Sequence, residues 1–198
     1  MEIGLFPLGI VLFPVEQIPL HIFEPRYREL IADCRRDEAP FGLVFADDDG
    51  MRQIGTFAHV VDVEELDDGR LNIIVEGRDR FRIVEESEGR AFTTAEVEAA
   101  PDTDDPAPTE LAEQALTLFD RLVTLTETDV ERPATGHPQL SYAIGGHFDL
   151  ASDLKQGLLE ELSERVRLEA IHTILEGSHE AITARREIAS RAQRNGKH

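Results

Sequence analysis

The spacing of the apolar residues changes once along this chain, and that change limits what the chain can fold into. As far as about residue 97 they recur at every second position, in short runs set off by Gly and Pro. Beyond residue 108 they recur every three to four positions. Side chains alternate between the two faces of a strand but return to one face of a helix every 3.6 residues. The stretch between, Ala99-Ala100-Pro101-Asp102-Thr103-Asp104-Asp105-Pro106-Ala107-Pro108, has neither period, and its three Pro and three Asp read as a linker. The expected fold class is α+β: a β-rich subdomain over residues 1–100, a linker over 101–108 and a helical bundle over 109–198.

Within the first part, Ile18, Leu20 and Ile22 share one strand face, as do Phe41, Leu43 and Phe45. Between them Pro25, which suits a first helical turn, opens a short helix with Tyr27, Leu30, Ile31 and Cys34 at helical spacing. Two longer strands are expected. One spans 54–63, with Phe57, His59, Val61 and Val63 on one side. The other spans 70–83, with Leu71, Ile73, Val75, Phe81 and Ile83 on one side and Gly77 as a bulge or bend. Asp67-Asp68-Gly69 is a favourable hairpin turn between them. A weaker strand is expected over 91–97. Many short strands with one early helix suggest a partly closed, barrel-like sheet.

In the second part, Thr109 is the expected N-cap of a helix striped by Leu111, Ala115, Leu118, Leu122 and Leu125. A break from Arg132-Pro133 to Pro138 precedes a short segment from Leu140 to Phe148. Ser152 is expected to cap a helix carrying Leu154, Leu158 and Leu159. Ser163 is expected to cap the last helix, whose Leu168, Ile171, Leu175, Ile182 and Ala189 follow one face. Gln193 to His198 should fray.

Composition narrows the setting. An apolar fraction of 41% with ten Phe supports a packed core. The net charge of −20 makes a field that repels nucleic-acid phosphates and anionic membrane surfaces, so neither is an expected partner. No apolar run is long enough to span a bilayer. The stretch from Ile3 to Pro14 lacks a basic flank and is interrupted by Pro7 and Pro14, which makes it a poor signal peptide. Cys34 is the one cysteine, so no intramolecular disulfide can form, and a cytoplasmic location is expected.

Several ordered blocks carry a resemblance. Leu5-Phe6-Pro7-Leu8, Val11-Leu12-Phe13-Pro14 and Ile18-Pro19-Leu20-His21-Ile22-Phe23-Glu24-Pro25-Arg26-Tyr27 open the chain. Phe41-Gly42-Leu43-Val44, Ile54-Gly55-Thr56 and Val75-Glu76-Gly77 with Arg80-Phe81-Arg82-Ile83 follow. Leu140-Ser141-Tyr142-Ala143, Lys155-Gln156-Gly157-Leu158-Leu159-Glu160 and Glu164-Arg165-Val166-Arg167-Leu168 continue into the helices. Together they resemble the N-terminal, substrate-binding domain of the Lon protease family over roughly residues 3–175, and are nearest to its stand-alone members. The resemblance implies a PUA-like pseudo-barrel followed by a helical bundle. It also implies a module that recognises unfolded or extended protein segments, acting as an adaptor or regulator in protein quality control. No Gly-x-x-x-x-Gly-Lys-Ser/Thr loop surrounds Lys155 or Lys197, and Lys155 falls in a block matching the non-catalytic domain. Neither ATP hydrolysis nor peptide cleavage is expected, and no cofactor.

The candidate peptide-binding residues are His21, Phe23, Arg26, Arg78, Arg80 and Arg82. His21 lies on the outward parity of its strand beside Phe23, where it lines a groove or packs between strand and helix. Arg78, Arg80 and Arg82 share the face opposite Phe81 and Ile83. They form either a stripe for acidic peptide or phosphate, or a set of cross-strand ion pairs with Glu64, Glu65, Glu76 or Glu85. His59, among Phe57, Val61 and Val63, reads as a neutral histidine within the sheet. Asp47-Asp48-Asp49-Gly50 and Asp102-Thr103-Asp104-Asp105 lack the spacing of a calcium loop, and His137, His147, His172 and His179 lack ligand spacing. No metal is therefore expected. Cys34 reads as a buried, inert thiol. Two rival readings are a small-molecule or enzymatic cleft between the subdomains and, with less support, RNA binding through the barrel.

Overall fold

In a computed structural model, residues 1–87 and 90–195 are described, with the side chains of the last helix as far as Ile188. The side chain of Ala189 and the end of the expected fraying segment, residues 196–198, lie outside what is described. The chain divides into two compact units. The first comprises Met1–Thr103 with Phe148–Leu162, and the second Asp104–His147 with the chain from Ser163 onward.

Among the described residues the first unit holds seven strands: β1 (Glu2–Leu8), β2 (Gln17–Ile22), β3 (Phe41–Asp47), β4 (Gly50–Met51), β5 (Ile54–Glu65), β6 (Leu71–Ser87) and β7 (Thr94–Ala99). Strands β1, β7, β6, β5 and β3 pair in that order, and β3 pairs in parallel with β1, Leu5 opposite Gly42 and Leu8 opposite Phe45. The pairing closes on itself, giving the barrel that the many short strands foreshadow. Strand β1 was legible only as an apolar stretch. Its Pro7 and the parallel pairing, which is non-local, hide it from a search for alternation and tight turns.

Helix α1 (Pro25–Asp37) begins at the expected proline and buries Tyr27, Leu30, Ile31 and Cys34. They pack with Ile22, Ile73, Val75, Phe41 and Leu43 in one core cluster. A second cluster joins Ile3, Leu5, Val44, Phe81, Ile83 and Val97. Opposite faces of β3 thus serve different clusters, which is why Phe41 to Phe45 are all buried. The hairpin turn places Gly69 at φ +81°, a conformation open to glycine.

Strand β5 departs from its expected alternation. Register shifts fall between Thr56 and Ala58 and between Val60 and Asp62. The first puts an extra residue on β6, between Gly77 and Arg80, and the second puts one on β5 at Val61, where the parity of β5 reverses. Ala58, Val60 and Val63 therefore meet the first cluster, Phe57 meets Phe81 in the second (ring centroids 4.9 Å apart), and Val61 is left 47% exposed.

A short helix, α4 (Ser152–Glu160), belongs to this first unit, whereas a single helical subdomain over 109–198 was expected. Polar bonds explain its place. Gln156 Nε2 donates to the Ile54 carbonyl (3.2 Å), Lys155 Nζ pairs with Glu16 (2.6 Å), and Arg80 reaches its C-terminal end. Arg80 is 3% exposed. Its Nη1 donates to the carbonyls of Leu159 (2.8 Å) and Glu161 (2.7 Å), and its Nη2 pairs with Asp102. A parity count gave Arg80 to the outer face, but a guanidinium in the barrel wall is tolerable when its donors find acceptors. The first residues of the expected linker are accordingly fixed rather than loose: Asp102 by Arg80, and Thr103 by the Leu162 carbonyl (2.9 Å).

Gly77 marks a close approach as well as the expected bulge, since β6 carries an extra residue between Gly77 and Arg80. A Cβ there would lie 2.1 Å from the Phe13 carbonyl oxygen, because the loop before β2 crosses this point. Val15 N donates to the Gly77 carbonyl (2.8 Å) and Gly77 N to that of Glu16 (2.9 Å).

The second unit contains α2 (Thr109–Thr126), α3 (Leu140–Gly145) and α5 (Glu164–Asn195). Ser163 caps α5 as expected, its Oγ accepting from Val166 N (3.1 Å). Thr109 and Ser152 do not cap: each is the first residue of its helix, after Pro108 and Ala151. A buried network of Ser141, Glu164 and Arg167 joins α3 to α5. Ser141 Oγ donates to Glu164 (2.6 Å), Arg167 Nη2 pairs with Glu164 (2.8 Å), and the guanidinium lies 4.3 Å from the Tyr142 ring centroid.

Replacing Arg80 by Met should lower stability by about 3–5 kcal/mol, since the Leu159 and Glu161 carbonyls and Asp102 each lose a charged donor. Gly77→Ala should cost about 2 kcal/mol by overpacking. Urea unfolding of both variants checks these values, and a loss under 1 kcal/mol for Arg80→Met would contradict the role given to it.

Candidate functional site: an open strand edge

Among the described residues β2 pairs with β6 alone, Gln17 opposite Glu76 through Ile22 opposite Leu71. Its other edge carries no strand. Residues of an antiparallel pair alternate between those that exchange both backbone bonds and those that exchange none. Pro19, opposite Ile74, has no N–H and fits only the second kind. The period of two then turns the backbones of Gln17, Pro19 and His21 toward the open edge. Ile18, Leu20 and Ile22 hold the ladder to β6, with their side chains toward the first core cluster. The edge therefore offers two outward N–H donors, at Gln17 and His21, and three carbonyl acceptors.

The outward side chains of this strand are organised. The His21 and Phe23 rings stack at 6.1 Å with 27° between planes, and Phe23 is 61% exposed. His21 Nδ1 bonds to Asn72 Oδ1 (2.8 Å), and Arg70 Nη1 approaches His21 Nε2 (3.3 Å). Asn72 donates in turn to Glu64 (2.8 Å), and Arg70 pairs with Asp68 (2.7 Å). Arg26 bonds to Glu24 (2.8 Å) and lies 4.5 Å from the Tyr27 ring centroid. Burial pushes the Tyr27 phenol above its ordinary value, against the opposing pull of Arg26. The arrangement can stack, donate and accept hydrogen bonds.

Of the six candidate residues, His21 and Phe23 are in contact, with Arg26 near them in sequence at the start of α1. The three β6 arginines separate. Arg78 is exposed and paired with Glu76 (2.8 Å), and Arg82 is exposed and 3.9 Å from Glu98. Arg80 is withdrawn between them, so no continuous outer stripe exists and the phosphate-binding reading loses its middle member. Gln17, Arg70 and Asn72 escaped the sequence reading. The available signal was parity: Asn72 is the polar residue of an otherwise apolar run, opposite His21.

The remaining titratable groups are placed structurally. His59 is half-buried opposite Glu76. Asp47 pairs with Arg52 (2.7 Å) and accepts the Asp49 N–H (3.0 Å), as a turn residue does. Among the described residues no group of three or more His, Cys, Asp or Glu is arranged to hold a metal. Among them, too, no helix is long and apolar enough to cross a membrane. The Cys34 thiol is pushed up to about 11, chiefly by burial and then by Asp33 and Asp37. It should react with iodoacetamide at pH 8 at least tenfold more slowly than after unfolding, since the thiolate is the reactive form. Equal rates would place it at the surface.

The profile of the family described as the ATP-dependent protease La (LON) substrate-binding domain matches residues 2–177. Lon protease 2 of Syntrophobacter fumaroxidans is 27% identical over 191 residues, 86% of this chain and 24% of that protein. The Lon protease of Rhizobium meliloti is 26% identical over 201 residues, 93% of this chain and 25% of that protein. The chain thus spans about a quarter of the length of these relatives. Among solved structures, the Lon N-terminal domain protein from Xanthomonas campestris aligns with a TM-score of 0.71 at 27% identity, covering 86% of this chain and 96% of that one. The N-terminal domain of Mycobacterium avium complex Lon protease shares the fold, with a TM-score of 0.70 at 17% identity over 89% of this chain and 98% of that one. This chain belongs to the LON substrate-binding domain family.

Proposed function

We propose that this member of the LON substrate-binding domain family binds unfolded or extended protein segments by adding them as a strand to β2. In this reading it is a recognition module without chemistry of its own, acting in the cytoplasm as an adaptor or regulator of protein quality control. One observation carries the reading: among the described residues β2 has a single neighbouring strand, and it turns the N–H groups of Gln17 and His21 outward beside an exposed Phe23. Main-chain bonds to such an edge give affinity whatever the sequence, and a side-chain anchor gives preference. That combination suits a receptor for many different unfolded chains. The non-catalytic part of the proposal is supported by a match to a substrate-binding domain and by a site built for stacking and hydrogen bonding. The proline is part of the design. It removes one donor from the edge and so limits unwanted pairing between folded copies, while a peptide of about five residues can still bond on both sides of it.

A His21→Pro variant tests the edge directly. It deletes an outward N–H and leaves the ladder to β6 untouched. Binding of a reduced, carboxymethylated unfolded protein should weaken at least tenfold, about 1.4 kcal/mol, with the melting temperature preserved. Phe23→Ala should cost about 1–2 kcal/mol of binding as loss of an aromatic anchor. Unchanged affinity in both variants would refute docking at β2.

A further inference from the structure

We infer that the contact between His21 and Arg70 makes the β2 edge a pH-dependent selector of peptide charge, an inference that rests on β2 being the docking strand. The hydrogen-bond relay fixes where the ring proton sits. Asn72 uses its Nδ2 to donate to Glu64 (2.8 Å), so its Oδ1 is the atom that faces His21 and it must accept. His21 therefore carries its proton on Nδ1, and Nε2 is the acceptor for Arg70 Nη1 (3.3 Å). Only the neutral imidazole satisfies both neighbours.

Protonation at Nε2 reverses this. A donor then faces a donor, and an imidazolium faces a guanidinium. Arg70 swings off His21, still held by Asp68 through its Nε (2.7 Å). The outward face beside Phe23 gains a positive ring, and a guanidinium is freed from its acceptor. The other charges near the ring are already committed. Glu64 of β5 acts through Asn72, and Asp68 in the turn through Arg70. Around the start of α1, Glu24 and Arg26 bond to each other, and Arg28 donates to the Gly69 carbonyl (3.0 Å). From β6, Glu76 is engaged by Gln17 and Arg78.

An extended segment laid along β2 places every second side chain on this same outward face. A segment with Asp or Glu beside His21 therefore binds more tightly once the ring is protonated. One with Lys or Arg there binds more weakly, and a neutral one is indifferent. Exposed pairs are weak, so the change is roughly two- to fivefold in each direction.

The test uses the full chain and three labelled, otherwise identical extended peptides with Glu, Gln or Lys at the central position. Fluorescence anisotropy is read from pH 8 to pH 5.5 in the wild type and in His21→Gln, alongside the ring nitrogen shifts of His21 in the free protein. The expected result is a Glu/Lys affinity ratio that rises several-fold at low pH in the wild type and stays flat in His21→Gln, with Nδ1 protonated at neutral pH. If no peptide binds at any pH, the docking reading falls and the selector with it. If the peptides bind but respond alike to pH, or the ratio still shifts in His21→Gln, or Nε2 carries the neutral-state proton, the selector alone is overturned.

Discussion

A guanidinium withdrawn from water must find an acceptor for its donors, and Arg80 finds them in the last carbonyls of α4 and in Asp102. That requirement organises the barrel unit. Strand β6 carries Arg80 and is also the strand on which β2, β5 and β7 all pair. Fixing β6 to α4 fixes the register of the wall from which β2 projects. Lys155 and Gln156, on the same short helix, hold Glu16 in the loop before β2 and the Ile54 carbonyl at the start of β5. A helix of nine residues is thus bound to the barrel at its middle and at its C-terminal end by polar contacts. Its apolar contribution, from Leu158 and Leu159, adds to that binding.

The open edge follows from this framework. β6 is long enough to serve two strands on the same side in succession, β2 along residues 71–76 and β7 along residues 81–87. Only β7 has a further neighbour, β1, and through it the barrel closes. Among the described residues β2 is left with one side that no strand covers, and Pro19 decides which backbones face it. Exposure there is a consequence of strand lengths, with Pro19, His21 and Phe23 shaping what the edge can accept.

Much of this could be read from the sequence, for identifiable reasons. Pro25 and the helical spacing of Tyr27, Leu30, Ile31 and Cys34 place the start of α1 to the residue, because local chemistry alone sets a helix start. The parity of β2 was equally clear, and with it the outward position of His21. Reading failed where non-local geometry overrides the local period. The bulge at Val61 turns that residue outward, and the closing pair of β1 with β3 leaves no local trace. Arg80 could not be told from Arg78 and Arg82 by spacing, since what distinguishes it is a helix end and an aspartate far along the chain. At the site, His21 and Phe23 were visible as residues, whereas the relay through Asn72, Glu64 and Arg70 depends on a register that only the folded hairpin defines.

The central claim is that a bound segment pairs with the outward backbone of β2. Amide hydrogen exchange measured residue by residue, with and without a saturating unfolded ligand, tests it most directly. Binding is predicted to slow exchange at Gln17 and His21 while leaving Ile18 and Leu20, already in the ladder, unchanged. Ligand-induced protection confined to other parts of the chain, with Gln17 and His21 exchanging as fast as before, would contradict it.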